Sequence, residues 1–189
     1  MFVALSLVIF STLVLVLSAI NDAWSDFVVI GFAIFSASLF ILFRAVFARI
    51  RKLKPKYIVI DGSNVMYWRD GVPSVNSVRE IVDQLTRLQF VPCIVFDANA
   101  GYLLSGHYQN NRALAKALGV PEKQVTVVHR GTQADPMILD FARTLDAKIV
   151  SNDRFRDWIA AYPEVLRQGH LIKGGDSADG FWLARDQLQ

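Results

Sequence analysis

Cysteine and histidine are scarce in this chain of 189 residues, and their scarcity argues against two common ways of stabilising a small domain, disulfides and zinc sites. Cys93 is the only cysteine, so an intrachain disulfide is not available. The three histidines, His107, His129 and His170, show no zinc-ligand spacing with it. We therefore expect neither a disulfide framework nor a Cys/His zinc site, and we predict that Cys93 is a small buried hydrophobic residue.

Charge is absent from two long stretches near the start of the chain. Residues 2–20 hold no charged side chain, and residues 27–43 are also uncharged. Because a transmembrane helix needs roughly 20 apolar residues, residues 1–50 are predicted to form a two-helix membrane hairpin around the short acidic loop 21–26. The alternatives are two buried core helices, which so small a domain can hardly enclose, and a signal peptide, although the first run lacks a basic start.

Positive charge is concentrated directly after the second apolar run. Six Lys and Arg side chains lie in residues 44–56, whereas loop 21–26 has none. The positive-inside rule therefore predicts an integral protein of the inner or plasma membrane, with residues 57–189 facing the cytoplasm. Residues 51–56 are interpreted as a basic juxtamembrane linker that contacts anionic membrane lipid.

The remaining part, residues 57–189, carries fourteen Lys and Arg against fifteen Asp and Glu. Its slight acidic excess gives no general attraction for nucleic acid, so any such contact must come from local cations. Each candidate could equally be an ordinary solvated charge. The candidates are Arg112, Lys116, Arg130, Arg154 and Arg156.

Short apolar runs alternate with helical patterns after residue 56. Strands are predicted at 57–61, 93–97, 124–129 and 148–152, with terminal strands at 170–173 and 180–184. Helices are predicted at 75–90, 107–119, 135–146 and 153–168, the last interrupted or restarted at Pro163. Apolar strands separated by helices indicate an α/β, Rossmann-like domain at 57–189, with a parallel sheet covered by helices on both faces.

Aspartates stand where these predicted strands end. Asp61 ends the first strand, Asp97 ends the second, and Asp153 follows the fourth, with Asp157 four residues later. An open parallel sheet places its chemistry at the carboxyl ends of its strands. Carboxylates gathered there repel one another unless protons or cations neutralise them, so the pattern predicts a divalent metal site.

A further aspartate is predicted to join this edge from the start of a helix. Asp135 precedes Pro136, which suits a helix N-cap, and it lies three residues before the buried stripe that begins at Ile138. That spacing places Asp135 over the strand ends. Asp140 is predicted to face solvent instead, within reach of Arg143.

Each of these acids also has a purely structural interpretation. Asp61 is suited to an Asx turn and Asp135 to a helix cap. Asp153 and Asp157 fit the acidic first turn of a helix. Asp97 ranks behind these four because it can be a turn residue. Gly62 is predicted to permit a sharp turn after the first strand. The predicted catalytic and metal-binding set is Asp61, Asp135, Asp153 and Asp157, with Mg²⁺ or Mn²⁺ as the ion. The side chains predicted to contact the attacking water or the substrate are Asn64, Ser151, Asn152, Arg112 and Arg154.

Three strings in this region resemble the NYN/PIN-like ribonucleases, especially the Regnase-type nuclease branch. They are VIDGSNV (59–65), AD (134–135) and IVSNDRFRDW (149–158), of which the last is the most specific. The resemblance spans roughly residues 57–160. It implies a PIN-like fold and Mg²⁺-dependent endonucleolytic cleavage of RNA, expected to be single-stranded, by the same four aspartates, with no small-molecule organic cofactor.

The chain departs from that branch in three respects. Its acidic helix start has one Asp followed by Pro, where the branch often has two adjacent acids. The branch's CCCH zinc finger is absent, so substrate choice does not follow from the resemblance. The membrane hairpin lies outside the family pattern and implies tethering.

The leading expectation is therefore a membrane-anchored, Mg²⁺-dependent endoribonuclease. A non-enzymatic alternative is a PIN-like module that binds RNA or a protein at the membrane. A phosphatase of the haloacid-dehalogenase type would need a second Asp two residues after the first, and position 63 is Ser. The choice between RNA and DNA stays open, as does the oligomeric state, a homo-oligomer included.

Overall fold

The computed structural model describes residues 2–20, 27–53, 55–184 and 186. The chain forms two compact units, Met1–Pro55 and Lys56–Gln189. The predicted acidic loop at 21–26 and Lys54 of the predicted linker lie outside the described residues.

The first unit contains two helices, α1 (Phe2–Ile20) and α2 (Val28–Leu53). Within α2, Val28–Ala48 is long and apolar enough to cross a membrane. The apolar stretch of α1 that meets the same hydropathy level, Leu5–Ser18, is shorter than a span. The described residues thus contain one helix of spanning length and composition, where the sequence predicted two.

The second unit is built on five parallel strands in the order β3-β2-β1-β4-β5. The strands are β1 (Lys56–Asp61), β2 (Phe90–Phe96), β3 (Val125–Val127), β4 (Lys148–Val150) and β5 (Leu171–Ile172). Its helices are α3 (Gly62–Val65), α4 (Val75–Arg87), α5 (Ala100–Ser105), α6 (Asn111–Leu118) and α7 (Asp135–Leu145). The chain reverses its direction of strand addition between β1 and β4. In open α/β sheets this switch point opens a crevice at the carboxyl ends of the strands.

Helices cover both faces of the sheet, as predicted. Ile58 and Ile60 of β1 pack with the buried sides of α4 and α6, whereas Val59 packs on the opposite face with Ile138 of α7. This alternation follows from the two-residue period of a strand. The sheet is therefore fixed by two separate cores, and its carboxyl edge is left to the loops.

An antiparallel hairpin closes the described part of the second unit. Its strands are β6 (Gly174–Ser177) and β7 (Gly180–Leu183). Arg69 donates from Nε to Asp176 Oδ2 at 2.9 Å, and its guanidinium lies 4.4 Å from the centre of the Phe181 ring. The predicted strand at 180–184 is therefore present, but β6, its partner, was not predicted.

The helical predictions need two corrections. The segment 153–168 forms two short 3₁₀ turns, Arg156–Trp158 and Pro163–Leu166, because Phe155 adopts a left-handed backbone (φ 48°) that an α-helix does not accommodate. The predicted helix 107–119 begins only at Asn111, where Asn110 caps it, and a separate helix α5 precedes it.

Two side-chain predictions need correction: the full burial of Cys93 and the pairing of Asp140 with Arg143. Cys93 is half-buried rather than buried, and burial raises the pKa of its thiol. Asp140 is exposed as expected, but it accepts a hydrogen bond from the Tyr162 hydroxyl at 2.7 Å. Arg143 pairs instead with Glu164, at 2.7 Å from Nε to Oε1.

Candidate active site at the carboxyl edge of the sheet

Asp61, the last residue of β1, is an acid inside the protein. Its side chain is only 6% exposed. One carboxylate oxygen, Oδ1, accepts a hydrogen bond from the backbone N–H of Asn64 at 3.0 Å, and Oδ2 accepts one from the Ser151 hydroxyl at 2.8 Å. Burial, together with the nearby carboxylates of Asp135 and Asp97, raises the pKa of Asp61 to about 6, and the two hydrogen bonds oppose this shift.

The glycine after Asp61 serves a purpose other than the predicted one. The backbone of Gly62 is not left-handed. A Cβ at this position would lie 2.5 Å from the Phe96 ring, which is fully buried. Gly62 is therefore required because β1 continues into α3 directly against the end of β2.

Ser151 connects the two strands that flank the switch point. It is fully buried directly after β4, and its hydroxyl, besides donating to Asp61, accepts from the backbone N–H of Asp153 at 3.0 Å. The loop after β4 is thus tied to the end of β1 through one side chain. Ser151 was predicted to contact water or substrate, and its position points instead to a role in holding two acids in place.

Asp153 lies in a loop whose shape is fixed by its own carboxylate. Its Oδ1 accepts hydrogen bonds from the backbone N–H groups of Arg154 and Phe155, the latter at 2.9 Å. Phe155 is buried in the core, and the Lys173 ammonium donates to the carbonyl oxygens of Ser151 and Asp153 at 3.1 and 2.7 Å. The exposed acid is consequently presented on an anchored loop.

Asp135 is the first residue of α7, where the sequence placed it, but it does not cap the helix. The residue at the cap position is Ala134, which makes no side-chain capping bond. The carboxylate of Asp135 instead accepts a hydrogen bond from Trp158 Nε1 at 3.2 Å. Burial raises the pKa of Asp135, as do the charges of Asp153, Asp97 and Asp157, while the bond from Trp158 opposes the shift.

These mutual effects identify which acids are close neighbours. The charges of Asp97, Asp153 and Asp157 raise the pKa of Asp135, and those of Asp135 and Asp97 raise the pKa of Asp61. The three other predicted acids, and Asp97, which was ranked behind them, therefore each interact electrostatically with Asp135. Asp157 is exposed on a 3₁₀ turn, so the predicted α-helical face shared with Asp153 does not exist.

The acids are neighbours without converging on one point. Among the residues that the structure describes, no group of three Asp, Glu, His or Cys side chains is placed to hold one metal ion. Mg²⁺ commonly retains several waters and binds through only one or two carboxylates. A hard cation would be compatible with this oxygen-only set, in which the buried Asp61 already has a disfavoured charge.

The two asparagines predicted to contact substrate form a structural clamp. Asn64 Oδ1 accepts from Trp68 Nε1 at 2.8 Å and from the backbone N–H of Asn152 at 3.0 Å. The Asn152 side chain donates to the Gly174 carbonyl at 2.8 Å and accepts from its N–H at 3.3 Å. This clamp joins α3, the loop after β4 and the first residue of β6.

The two predicted substrate-binding arginines lie in different surroundings. Arg154 is exposed directly beside Asp153, so the structure keeps it at the acidic edge. Arg112 is exposed on α6, and no described contact joins it to the aspartates. Of these two predicted arginines, the structure places Arg154 next to the acids and Arg112 elsewhere.

Lys173 and Trp158 are site residues that the sequence did not identify. A cation at the end of HLIK (170–173) and an aromatic ring after the acidic string SNDRFRD (151–157) were the only available signals. Burial lowers the pKa of Lys173, opposed by the charge of Asp153. Neither signal reveals its partner without the fold, because Lys173 and Trp158 each bond to residues about twenty positions away.

Two solved structures share this fold. Both are of the nuclear proteinaceous RNase P 2 (PRORP2) of Arabidopsis thaliana, with TM-scores of 0.52 and 0.51 and identities of 15% and 17%. Each similarity covers 75% of this chain and 32% of the other, so the chain spans about a third of the length of those proteins. The predicted α/β, PIN-like architecture is thereby confirmed.

Sequence comparison identifies the family. No curated protein matches the chain. A family model described as the Zc3h12a-like ribonuclease NYN domain matches residues 54–170. That match confirms the resemblance carried by the strings around Asp61, Asp135 and Asp153. Because the matched segment is more than half of its length, the chain belongs to the Zc3h12a-like ribonuclease NYN domain family.

Proposed function

We propose that this protein is a membrane-anchored, divalent-metal-dependent endoribonuclease that cleaves single-stranded RNA at the carboxyl edge of its sheet. The observation that carries the proposal is the buried Asp61 at the switch point, whose pKa is raised to about 6 among neighbouring carboxylates. A stable core gains nothing from such an arrangement. Sites where burial and like charges perturb carboxylates together are characteristic of catalysis.

The metal requirement follows from the charge of the edge. One or two of the carboxylates of Asp61, Asp135 and Asp153 would bind Mg²⁺ or Mn²⁺, and the remaining acids, Asp157 included, would contribute through their charge. When bound, such an ion neutralises charge on the phosphodiester and lowers the pKa of a bound water. Ser151 and Lys173 keep the loop of Asp153 in place, and Arg154 supplies a positive charge for an RNA phosphate beside it.

Cleavage by the full chain tests the enzymatic part of the proposal. Labelled single-stranded RNA should be cut internally with Mg²⁺ and left intact with chelator. Asp61→Asn, Asp135→Asn and Asp153→Asn should each lower the rate at least a hundredfold, because each removes a negative charge from the site. Asp83→Asn, at an exposed carboxylate of α4, is the matched control. Full activity in all three site variants would reject the assignment.

The anchor is proposed as a hairpin of α1 and α2, supported by the apolar Val28–Ala48 segment and the cations that follow it. The chain should stay in the membrane fraction after an alkaline wash. Protease should digest the second unit only when added from the cytoplasmic side. Release by the wash would contradict an integral anchor.

A non-catalytic RNA- or protein-binding module is the second candidate. It is favoured by the use of Asn64 and Asn152 as a structural clamp and by the lack of three converging acids among the described residues. Calorimetry separates the two proposals. Mg²⁺ or Mn²⁺ uptake that Asp61→Asn abolishes supports the enzyme, and no uptake by the wild-type chain supports the binding module.

A further inference from the structure

A cleft of about 1090 Å³ lies beside the acidic edge, over the carboxyl ends of β2 and β3. Asp97 forms part of its wall, and the same carboxylate acts electrostatically on both Asp61 and Asp135. Met137, two residues after Asp135, lines the cleft as well. The cleft is therefore adjacent to the acids where a scissile phosphate would lie.

Two tyrosines in this cleft are largely uncovered by the protein. Tyr102 of α5 and Tyr108, which follows that helix, are each 57% exposed. The backbone that carries them is packed tightly, since a Cβ on Gly101 would overlap the backbone nitrogen of Gln109. The Ser105 hydroxyl also accepts a hydrogen bond from Gln109 Nε2 at 2.8 Å. The two aromatic rings are thus carried on one ordered segment.

Hydrogen-bonding groups surround the tyrosines. Asn110 and Asn111 line the cleft, and their side-chain oxygens accept from the backbone N–H groups of Ala113 and Val127 at 3.0 and 2.8 Å. The amide NH₂ groups of Asn110 and Asn111 therefore remain to donate hydrogen bonds to a ligand. Arg130 adds a positive charge to the same cleft.

We infer that this cleft binds unpaired nucleobases of the RNA next to the cleavage point, by stacking them on Tyr102 and Tyr108. The inference rests on the proposed function and names its substrate more closely. Every base presents a face that stacks on an aromatic ring, but only an unpaired strand can turn that face toward protein. Pockets of about 300–1,000 Å³ hold drug-sized ligands, so this cleft is large enough to take a nucleobase.

RNA binding without cleavage tests the inference directly. The full chain is titrated, in chelator, against a fluorescent single-stranded RNA and against the same sequence as a duplex, with anisotropy as the readout. Tyr102→Ala and Tyr108→Ala should each weaken single-strand binding about tenfold to a hundredfold, the usual effect of losing one stacked base. The Phe variants should bind like wild type because the ring is kept.

Trp182→Ala is the matched control, since Trp182 is an exposed aromatic residue on β7 outside the cleft. Circular dichroism of each variant reports whether the fold is intact. The inference is overturned if both Ala variants bind single-stranded RNA like the wild type. It is also overturned if they lose as much affinity for the duplex as for the single strand, or if the wild type binds no RNA.

Cleavage kinetics keep the two proposals separate. If Mg²⁺ supports cleavage, the Ala variants should raise KM with little change in kcat, because the tyrosines bind the strand without touching the reacting atoms. Cleavage with an unchanged KM would remove the tyrosine subsite and leave the nuclease. Tyrosine-dependent binding without any cleavage would keep the tyrosine subsite and reject the nuclease proposal.

Discussion

Replacing Asp61 with Asn should stabilise the second unit while abolishing its chemistry. Folding raises the pKa of Asp61 from 3.8 to about 6, so the folded state holds the proton more tightly than the unfolded state does. The resulting stabilisation is complete below pH 3.8 and is lost as the pH rises through about 6. Above that pH the buried charge lowers the free energy of unfolding by about 3 kcal/mol, from the pKa difference.

Asn cannot ionise and keeps an oxygen that can accept from the Asn64 N–H. Asp61→Asn should therefore raise the free energy of unfolding by up to about 3 kcal/mol at neutral pH and by almost nothing near pH 4. The measurement is urea unfolding of the full chain in chelator at both pH values, followed by tryptophan fluorescence. The control Asp83→Asn should stay within about 0.5 kcal/mol of wild type, as surface changes usually do.

Divalent metal should reverse the order of the two proteins. A cation that binds the ionised Asp61 stabilises the wild type by about 4.1 kcal/mol at a thousand times its Kd, which exceeds the deficit of about 3 kcal/mol, and the Asn variant should gain little. A difference between wild type and variant that does not change from pH 4 to neutral would refute the reasoning, because Asp61 would then titrate normally.

Three further changes have defined outcomes. Trp158→Phe removes the hydrogen bond that lowers the pKa of Asp135, so the acid limb of the cleavage pH profile should move to higher pH; an unmoved limb would exclude Asp135 as an ionised participant. Lys173→Met loses two bonds to loop carbonyls and should cost about 1–2 kcal/mol in urea unfolding, with slower cleavage. Gly62→Ala forces a methyl group onto the Phe96 ring and should cost about 1–3 kcal/mol in the same assay, whereas a neutral effect would mean that the ring moves freely.

The sequence predicts the sheet and its acidic edge because both depend on local patterns. The apolar run 57–61 ends on Asp61, and the buried stripe that starts at Ile138 places Asp135 at a helix start. The helix predicted after Asp153 does not form because the buried Phe155 adopts a left-handed backbone, and Tyr162 and Val165 reach the core from short turns instead. No periodicity encodes that conformation.

Roles that depend on distant partners were equally hidden. Asn64 looks like a ligand in VIDGSNV (59–65), but its oxygen holds Trp68 and Asn152. Lys173 stands in an unremarkable terminal strand, yet it secures the loop of Asp153 from about twenty residues away. Such assignments require knowing which loops meet at the sheet edge.

The double hydrogen bond between Asn152 and Gly174 bears on where this chain can be shortened. The family match stops at residue 170, before Lys173 and Gly174. A chain that ended at residue 170 would keep every aspartate of the site. It would lose the bonds of Gly174 to Asn152 and of Lys173 to the carbonyls of Ser151 and Asp153. The smallest active fragment should accordingly retain the C-terminal hairpin, although that hairpin contributes no acid to the catalytic set.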